Sequence, residues 1–131
     1  MSGKIGIILG SKRDMPYMKD LLSFLEKEGM GYDLEIGSCH RSPEKVDGII
    51  KKWKNKKVIL AAAGYAAHLP GYIASRSDVP IIGVPLPTSD LRGLDSFLSI
   101  AQMPKGFAVL TSGVGKTGAV NAGLFIKRML K

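Results

Sequence analysis

The feature that most constrains this chain is a repeated alternation. Short, apolar, β-branched-rich runs are separated by stretches whose apolar residues recur at helical spacing. Residues 4–9 read as a buried strand, residues 10–14 as a loop, and residues 15–28 as a helix with Met18, Leu21, Leu22 and Leu25 on one face. Gly29 and Gly31 stop that helix, and residues 32–36 alternate as a second strand. Ser42-Pro43-Glu44 is an N-cap followed by proline at the first helical position, which predicts a helix to about Trp53. Further strands are expected at residues 58–62, 80–84 and 107–111, with helices at 66–75, 94–102 and 117–130. No repeat, low-complexity tract or linker interrupts the series.

Strands that are apolar on both faces and alternate with helices predict a parallel sheet covered on both sides. Right-handed crossovers then give a doubly wound, three-layer α/β/α sandwich. At 131 residues the expectation is one domain over residues 1–131 with a flavodoxin-like strand order. Each strand-to-helix loop would lie at the carboxyl edge of the sheet, where open α/β folds bind ligands. Helix-to-strand loops would lie at the other edge.

Charge sharpens the choice of partner. The net charge of +8 fits nucleic acid, an anionic membrane or a phosphorylated substrate. Its densest run, Lys51-Lys52-Trp53-Lys54-Asn55-Lys56-Lys57, ends a predicted helix, where lysines complement the helix dipole. Trp53 is the one aromatic there, too few for a single-strand stacking platform, so no nucleic-acid partner is expected. Apolar runs such as residues 81–86 are too short to span a bilayer, and residues 1–5 lack a signal-peptide pattern. With one cysteine there is no disulfide framework, and no Cys/His spacing suits a metal; the expected compartment is the cytoplasm.

Three loops at the expected binding edge carry chemistry. Gly10-Ser11-Lys12-Arg13-Asp14 opens a helix with free N–H groups, a hydroxyl and two cations, which suits a phosphate, while Asp14 could accept from ribose hydroxyls. The same residues could serve only as a turn and cap. Ser38-Cys39-His40-Arg41 offers His40 as an acid–base, Arg41 as an anion holder and Ser38 as a donor. A Cys39–His40 nucleophile pair is disfavoured because adjacent side chains on an extended loop point apart, so Cys39 is read as a packing residue. The loop from Ala61 to Gly71 is rich in small residues that admit a flat ligand, with Gly64 among them; His68 is expected to be buried, hydrogen-bonded and supporting. Ser112-Gly113-Val114-Gly115-Lys116-Thr117 mimics a nucleotide phosphate loop, but Leu110 stands where its first glycine must be. That segment is read as letting the last helix approach closely.

Together, Gly10-Ser11-x-x-Asp14, Ser38-x-His40-Arg41-x-Pro43 and Ala66-Ala67-His68-Leu69-Pro70-Gly71 resemble the phosphoribosylaminoimidazole carboxylases (PurE-type) of purine biosynthesis. Gly83-Val84-Pro85, Gly93-Leu94-Asp95-Ser96, Gln102-Met103-Pro104-x-Gly106 and Gly115-x-x-Gly118-Ala119-x-Asn121-Ala122 extend the likeness over nearly the whole chain. The His-Arg and Ala-Ala-His-Leu-Pro-Gly forms look like the branch that acts as 5-(carboxyamino)imidazole ribonucleotide mutase, an isomerase. The resemblance implies a phosphorylated imidazole ribonucleotide as substrate, no metal or organic cofactor, and a cytoplasmic homo-octamer with active sites at subunit junctions. It implies His40 as the catalytic acid–base, and Ser11, Asp14, Ser38, Arg41, Gly64 and His68 as substrate-binding residues. Direct carboxylation with free carbon dioxide, or a diverged nucleotide-monophosphate-binding module, are the alternatives. Arg13 stands where the family usually has serine, Tyr65 and Ala62 where it has glycine, and Cys39 where it has alanine. The family's usual C-terminal tail is expected to be missing.

Overall fold

The computed structural model describes residues 3–130; Met1, Ser2 and Lys131, and with them the readings made on both termini, lie outside the described residues. Four strands, β1 (Ile5–Leu9), β2 (Tyr32–Ile36), β3 (Val58–Ala63) and β4 (Ile81–Pro85), form one all-parallel sheet in the order β2-β1-β3-β4. That is the flavodoxin-like order expected from the sequence. The helices are α1 (Lys19–Lys27), α2 (Pro43–Lys52), α3 (Leu69–Ala74), α4 (Leu94–Ala101) and α5 (Gly115–Leu130).

The period-2 pleat sorts the apolar residues into two cores. Ile5, Ile7 and Leu9 of β1 face α1 and α5, joining Leu21, Leu25, Ala119, Ala122 and Ile126. Ile8 faces the opposite way, with Val46, Ile49, Trp53, Ile73 and Ile100 from α2, α3 and α4. Fully burying each large aliphatic side chain contributes roughly 1.5–3 kcal/mol. Close approach needs glycine at several positions, Gly6 and Gly123 among them. A Cβ on Gly6 would lie 2.5 Å from the Trp53 indole, and one on Gly123 would lie 2.7 Å from Leu21.

Edge strand β2 turns Tyr32, Leu34 and Ile36 inward. Its acids, Asp33 and Glu35, hold Lys56 and Lys52 respectively, the latter at 2.6 Å. Part of the lysine run thus ties α2 and its following turn to the sheet edge. The carboxyl of Asp33 is held below its ordinary range, chiefly by the hydrogen bond from Lys56.

The structure corrects several boundaries. The expected fifth strand shrinks to one parallel bridge, Ile82 with Leu110. A turn closed by Phe107 N–H on Pro104 O precedes it, and Gly113 at φ +128° follows. Little extended chain remains between them, and Leu110 is 61% exposed, so burial adds little to hold a longer ladder. The first helix is split: residues Lys12–Tyr17 form a 3-10 helix that includes Pro16, whose missing N–H and fixed φ disturb an α-helical start. The expected helix at 66–75 begins only at Leu69, because Tyr65 at φ +55° and a His68 N–H to Ala66 O bond of 2.7 Å use the preceding residues as a turn.

Candidate active site

The carboxyl ends of the strands finish almost level. Gly10 N–H donates to Ala62 O at 3.0 Å, Gly37 N–H to Leu9 O at 2.9 Å and Leu86 N–H to Ala63 O at 2.9 Å. The loops that leave these points therefore converge. They enclose a pocket of about 470 Å³, lined by residues 10, 11, 13 and 14, residues 38–41, residues 63–66, His68, Leu69 and Thr88. All seven residues singled out from the sequence, Ser11, Asp14, Ser38, His40, Arg41, Gly64 and His68, line it.

After β1, Ser11 has extended backbone and caps the 3-10 helix: its Oγ accepts from Arg13 N–H at 3.2 Å. Capping and lining the pocket are thus both true of Ser11, since the hydroxyl hydrogen stays available to a ligand. Asp14 is buried at 5% exposure, and burial raises its carboxyl above the ordinary range, partly offset by a hydrogen bond from the Ser11 backbone.

After β2, Ser38 Oγ accepts from Arg41 N–H at 3.2 Å, folding the loop into a compact turn. Cys39 is half-buried among the α2 and α3 side chains, and burial pushes its thiol up, as befits a packing residue. His40 is exposed and meets His68 from the loop after β3, with Nε2 to Nδ1 at 3.0 Å and ring centroids 4.9 Å apart. One N–H occupies that contact, donated by one ring and accepted by the other, so the two imidazoles form a short proton path. His68 is hydrogen-bonded as expected but exposed rather than buried. It ends a turn instead of sitting inside a helix, which leaves its ring over the pocket.

Sequence reasoning gave no place to Thr88, from the loop after β4. A Cβ on Gly64 would sit 1.8 Å from Thr88 Oγ1, so the hydroxyl presses on the glycine and keeps two loops in register. No motif announces this contact; only the parallel pairing of β3 with β4 brings the loops together. Arg13, which departs from the family's pattern, lines the same pocket as Arg41. Neither guanidinium has an ion-pair partner among the described residues. The pocket therefore holds two cations without acidic partners among the described residues, the hydroxyls of Ser11, Ser38 and Thr88, one buried carboxyl and a histidine pair. That combination suits a phosphorylated polyol attached to a group that must gain and lose a proton.

The phosphate-loop mimic stands apart from the pocket. Ser112 Oγ donates to Gly118 O at 2.8 Å, and a Cβ on Gly118 would lie 2.0 Å from Gly113 O. Its glycines serve close packing of α5. Among the described residues no cluster of three or more His, Cys, Asp or Glu side chains could hold a metal, and no helix is long and apolar enough to cross a membrane.

A profile of the AIR carboxylase family matches residues 4–131. The sequence is 45% identical over 129 residues to the N5-carboxyaminoimidazole ribonucleotide mutase of Vibrio parahaemolyticus, an alignment covering 97% of this chain and 80% of that protein. It is also 45% identical over 129 residues to the protein of the same description from Saccharolobus solfataricus, again covering 97% and 80%. Among solved structures, Treponema denticola PurE matches with a TM-score of 0.84 at 27% identity, covering 95% of this chain and 78% of that one.

Proposed function

The chain belongs to the AIR carboxylase family, and from that premise we propose that its two-histidine pocket is where substrate binds and reacts. The chain acts as an N5-carboxyaminoimidazole ribonucleotide mutase of purine biosynthesis, an isomerase that moves a carboxylate from the exocyclic nitrogen of its substrate to the neighbouring ring carbon. The observation that carries the assignment of the site is the His40–His68 hydrogen bond, set in one pocket beside two arginines that have no ion-pair partner among the described residues.

In this reading Ser11, Ser38 and Arg41 hold the phosphate, with Arg13 beside them, and Asp14 accepts from the ribose hydroxyls. The backbone at Gly64 admits the flat imidazole and its carboxylate, because no side chain there could fit under Thr88. Carbon dioxide leaves the exocyclic nitrogen, which takes a proton from His40. The ring carbon then adds the retained carbon dioxide and gives its proton back to His40. No net proton is consumed, so one imidazole serves both steps. His68 orients the His40 ring through their shared hydrogen bond and lengthens the proton path by one ring.

Self-association into a homo-octamer with sites at subunit junctions belongs to the same proposal. Leu94 and Leu98 on α4, and Leu124, Phe125 and Met129 on α5, are exposed and apolar, which supports helix surfaces that other copies would cover. Cytoplasmic residence is supported by a single cysteine, Cys39, that has no disulfide partner.

The test is turnover of the N-carboxylated ribonucleotide with bicarbonate omitted. We expect conversion at full rate, and in His40→Asn a loss on the order of 10²–10⁴-fold with folding unchanged by circular dichroism. A strict requirement for bicarbonate would replace the mutase reading with direct carboxylation. Wild-type turnover in His40→Asn would remove that residue from the chemistry.

A further inference from the structure

Tyr65 combines three properties. Its backbone lies in the left-handed region at φ +55°, one of two non-glycine residues with positive φ among those described. Its side chain is 64% exposed. It also lines the two-histidine pocket.

The left-handed turn itself is needed. It redirects the chain straight after Gly64, which is flush against Thr88, and lets residues 66–68 close the turn that carries His68 to His40. Glycine would meet that need without strain, whereas a residue with a Cβ is disfavoured there. The tyrosine ring returns little to the fold, since the residue is mostly exposed and makes no hydrogen bond or ring contact among the described residues. A strained position occupied by a large, unpartnered aromatic at the mouth of a pocket points to a ligand.

We propose that Tyr65 is the stacking residue of this site, laying its ring on the heteroaromatic five-membered ring of the bound nucleotide and closing the pocket mouth over it. This rests on the functional reading above. The phosphate-holding side chains come from the loops after β1 and β2, and Tyr65 comes from the loop after β3. A nucleotide anchored by the former therefore carries its base towards the latter. Stacking needs only the ring face, so the phenol hydroxyl is dispensable. Covering the base also slows escape of carbon dioxide between its loss and recapture.

The experiment compares two ligands on the full chain by titration calorimetry: aminoimidazole ribonucleotide, and ribose 5-phosphate, which lacks the base. We expect Tyr65→Ala and Tyr65→Gly to weaken the nucleotide by about three- to tenfold. Ribose 5-phosphate affinity should not change, and Tyr65→Phe should stay within about twofold of wild type for both ligands. The pair of small replacements separates ring from strain: alanine keeps the disfavoured backbone and glycine relieves it, yet both must lose the same affinity. Unchanged nucleotide affinity in Tyr65→Ala would overturn the proposal, as would equal loss for both ligands. A change of oligomer mass in the variants would also overturn it, showing that the ring meets a second copy instead. If the wild-type chain binds neither ligand, the functional reading itself fails, a result separable from the others.

Discussion

The contact between Gly64 and Thr88 gives the sharpest test of how the site is held. In Gly64→Ala the new Cβ would lie 1.8 Å from Thr88 Oγ1, 3.2 Å from Thr88 Cβ and 3.4 Å from Leu86 O. The first distance is impossible, so Thr88 must rotate or its loop must move, while the other two are tight to ordinary contacts. Overpacking of this kind costs about 1–3 kcal/mol. For a chain of this length that corresponds to a fall of roughly 3–12 °C in melting temperature. The remedy follows from the same distances. Thr88→Ala removes Oγ1 and leaves only a close Cβ–Cβ contact, an overlap of a few tenths of an ångström to be absorbed, so the double variant should recover at least half of the loss. The assay is thermal unfolding of wild type, both single variants and the double variant at one protein concentration, which keeps any association constant. A coupling of about 1 kcal/mol or more is expected from the cycle. Gly64→Ala melting with wild type, or additive losses in the double variant, would refute the claim that this pair sets the spacing of the two loops. Turnover should follow stability: poor in Gly64→Ala and better when Thr88→Ala is added.

Two carboxyls give pH predictions of opposite sign. Burial raises Asp14 above its unfolded value, so its contribution to stability is complete below that value and is lost as pH rises through the folded one. Asp14→Asn should therefore unfold at higher temperature than wild type at pH 7, with the gain vanishing in acid, while KM rises about tenfold from loss of a charged acceptor; lower stability at pH 7 would refute this. Asp33 is depressed by Lys56, so its contribution is present above the unfolded value and is lost as pH falls through the folded one. Asp33→Asn should lose about 1 kcal/mol at pH 7 and nothing at pH 2 in urea titrations, with activity unchanged; a loss that persists in acid would mean that packing rather than charge is at stake.

Much of this was legible in the chain because hydrophobic period and turn residues are local signals. The strand at Tyr32–Ile36 was read to the residue, since polar Asp33 and Glu35 alternate with apolar neighbours on an edge strand. The site residues were legible because the carboxyl edge of a parallel sheet collects loops from distant parts of the chain. What stayed hidden depends on pairs. The residues after Gly106 look like a strand, but strand length there depends on what lies beyond β4, and one bridge forms. His68 looks like a core residue on a helix, yet the left-handed turn at Tyr65 shortens that helix and leaves the ring exposed beside His40. Thr88 carries no motif, because its importance is the space that it denies to residue 64.

The two edges of the sheet are built on different principles, and the difference accounts for where the site can exist. At the amino edge, Lys56 is almost buried, with its ammonium on Asp33 and the Gly3 carbonyl, and Lys52 reaches Glu35 at 2.6 Å. Charges there are matched and tie α2 to β2. At the carboxyl edge the matching stops: Arg13 and Arg41 have no acidic partner among the described residues, Asp14 is buried against its own charge, and Tyr65 holds a backbone that disfavours it. Burial of the Asp14 carboxyl and the left-handed backbone at Tyr65 cost stability, the exposed guanidiniums stay solvated, and all four suit one kind of ligand, an anion with hydroxyls and a flat ring. Such a mismatch persists only where the surrounding structure over-determines it. Here the surroundings are the level strand ends, the Gly64–Thr88 contact and the two cores that clamp β1 and β3 between helices. The amino edge and the cores stabilise the fold, which leaves the carboxyl edge free to be complementary to substrate instead of to itself.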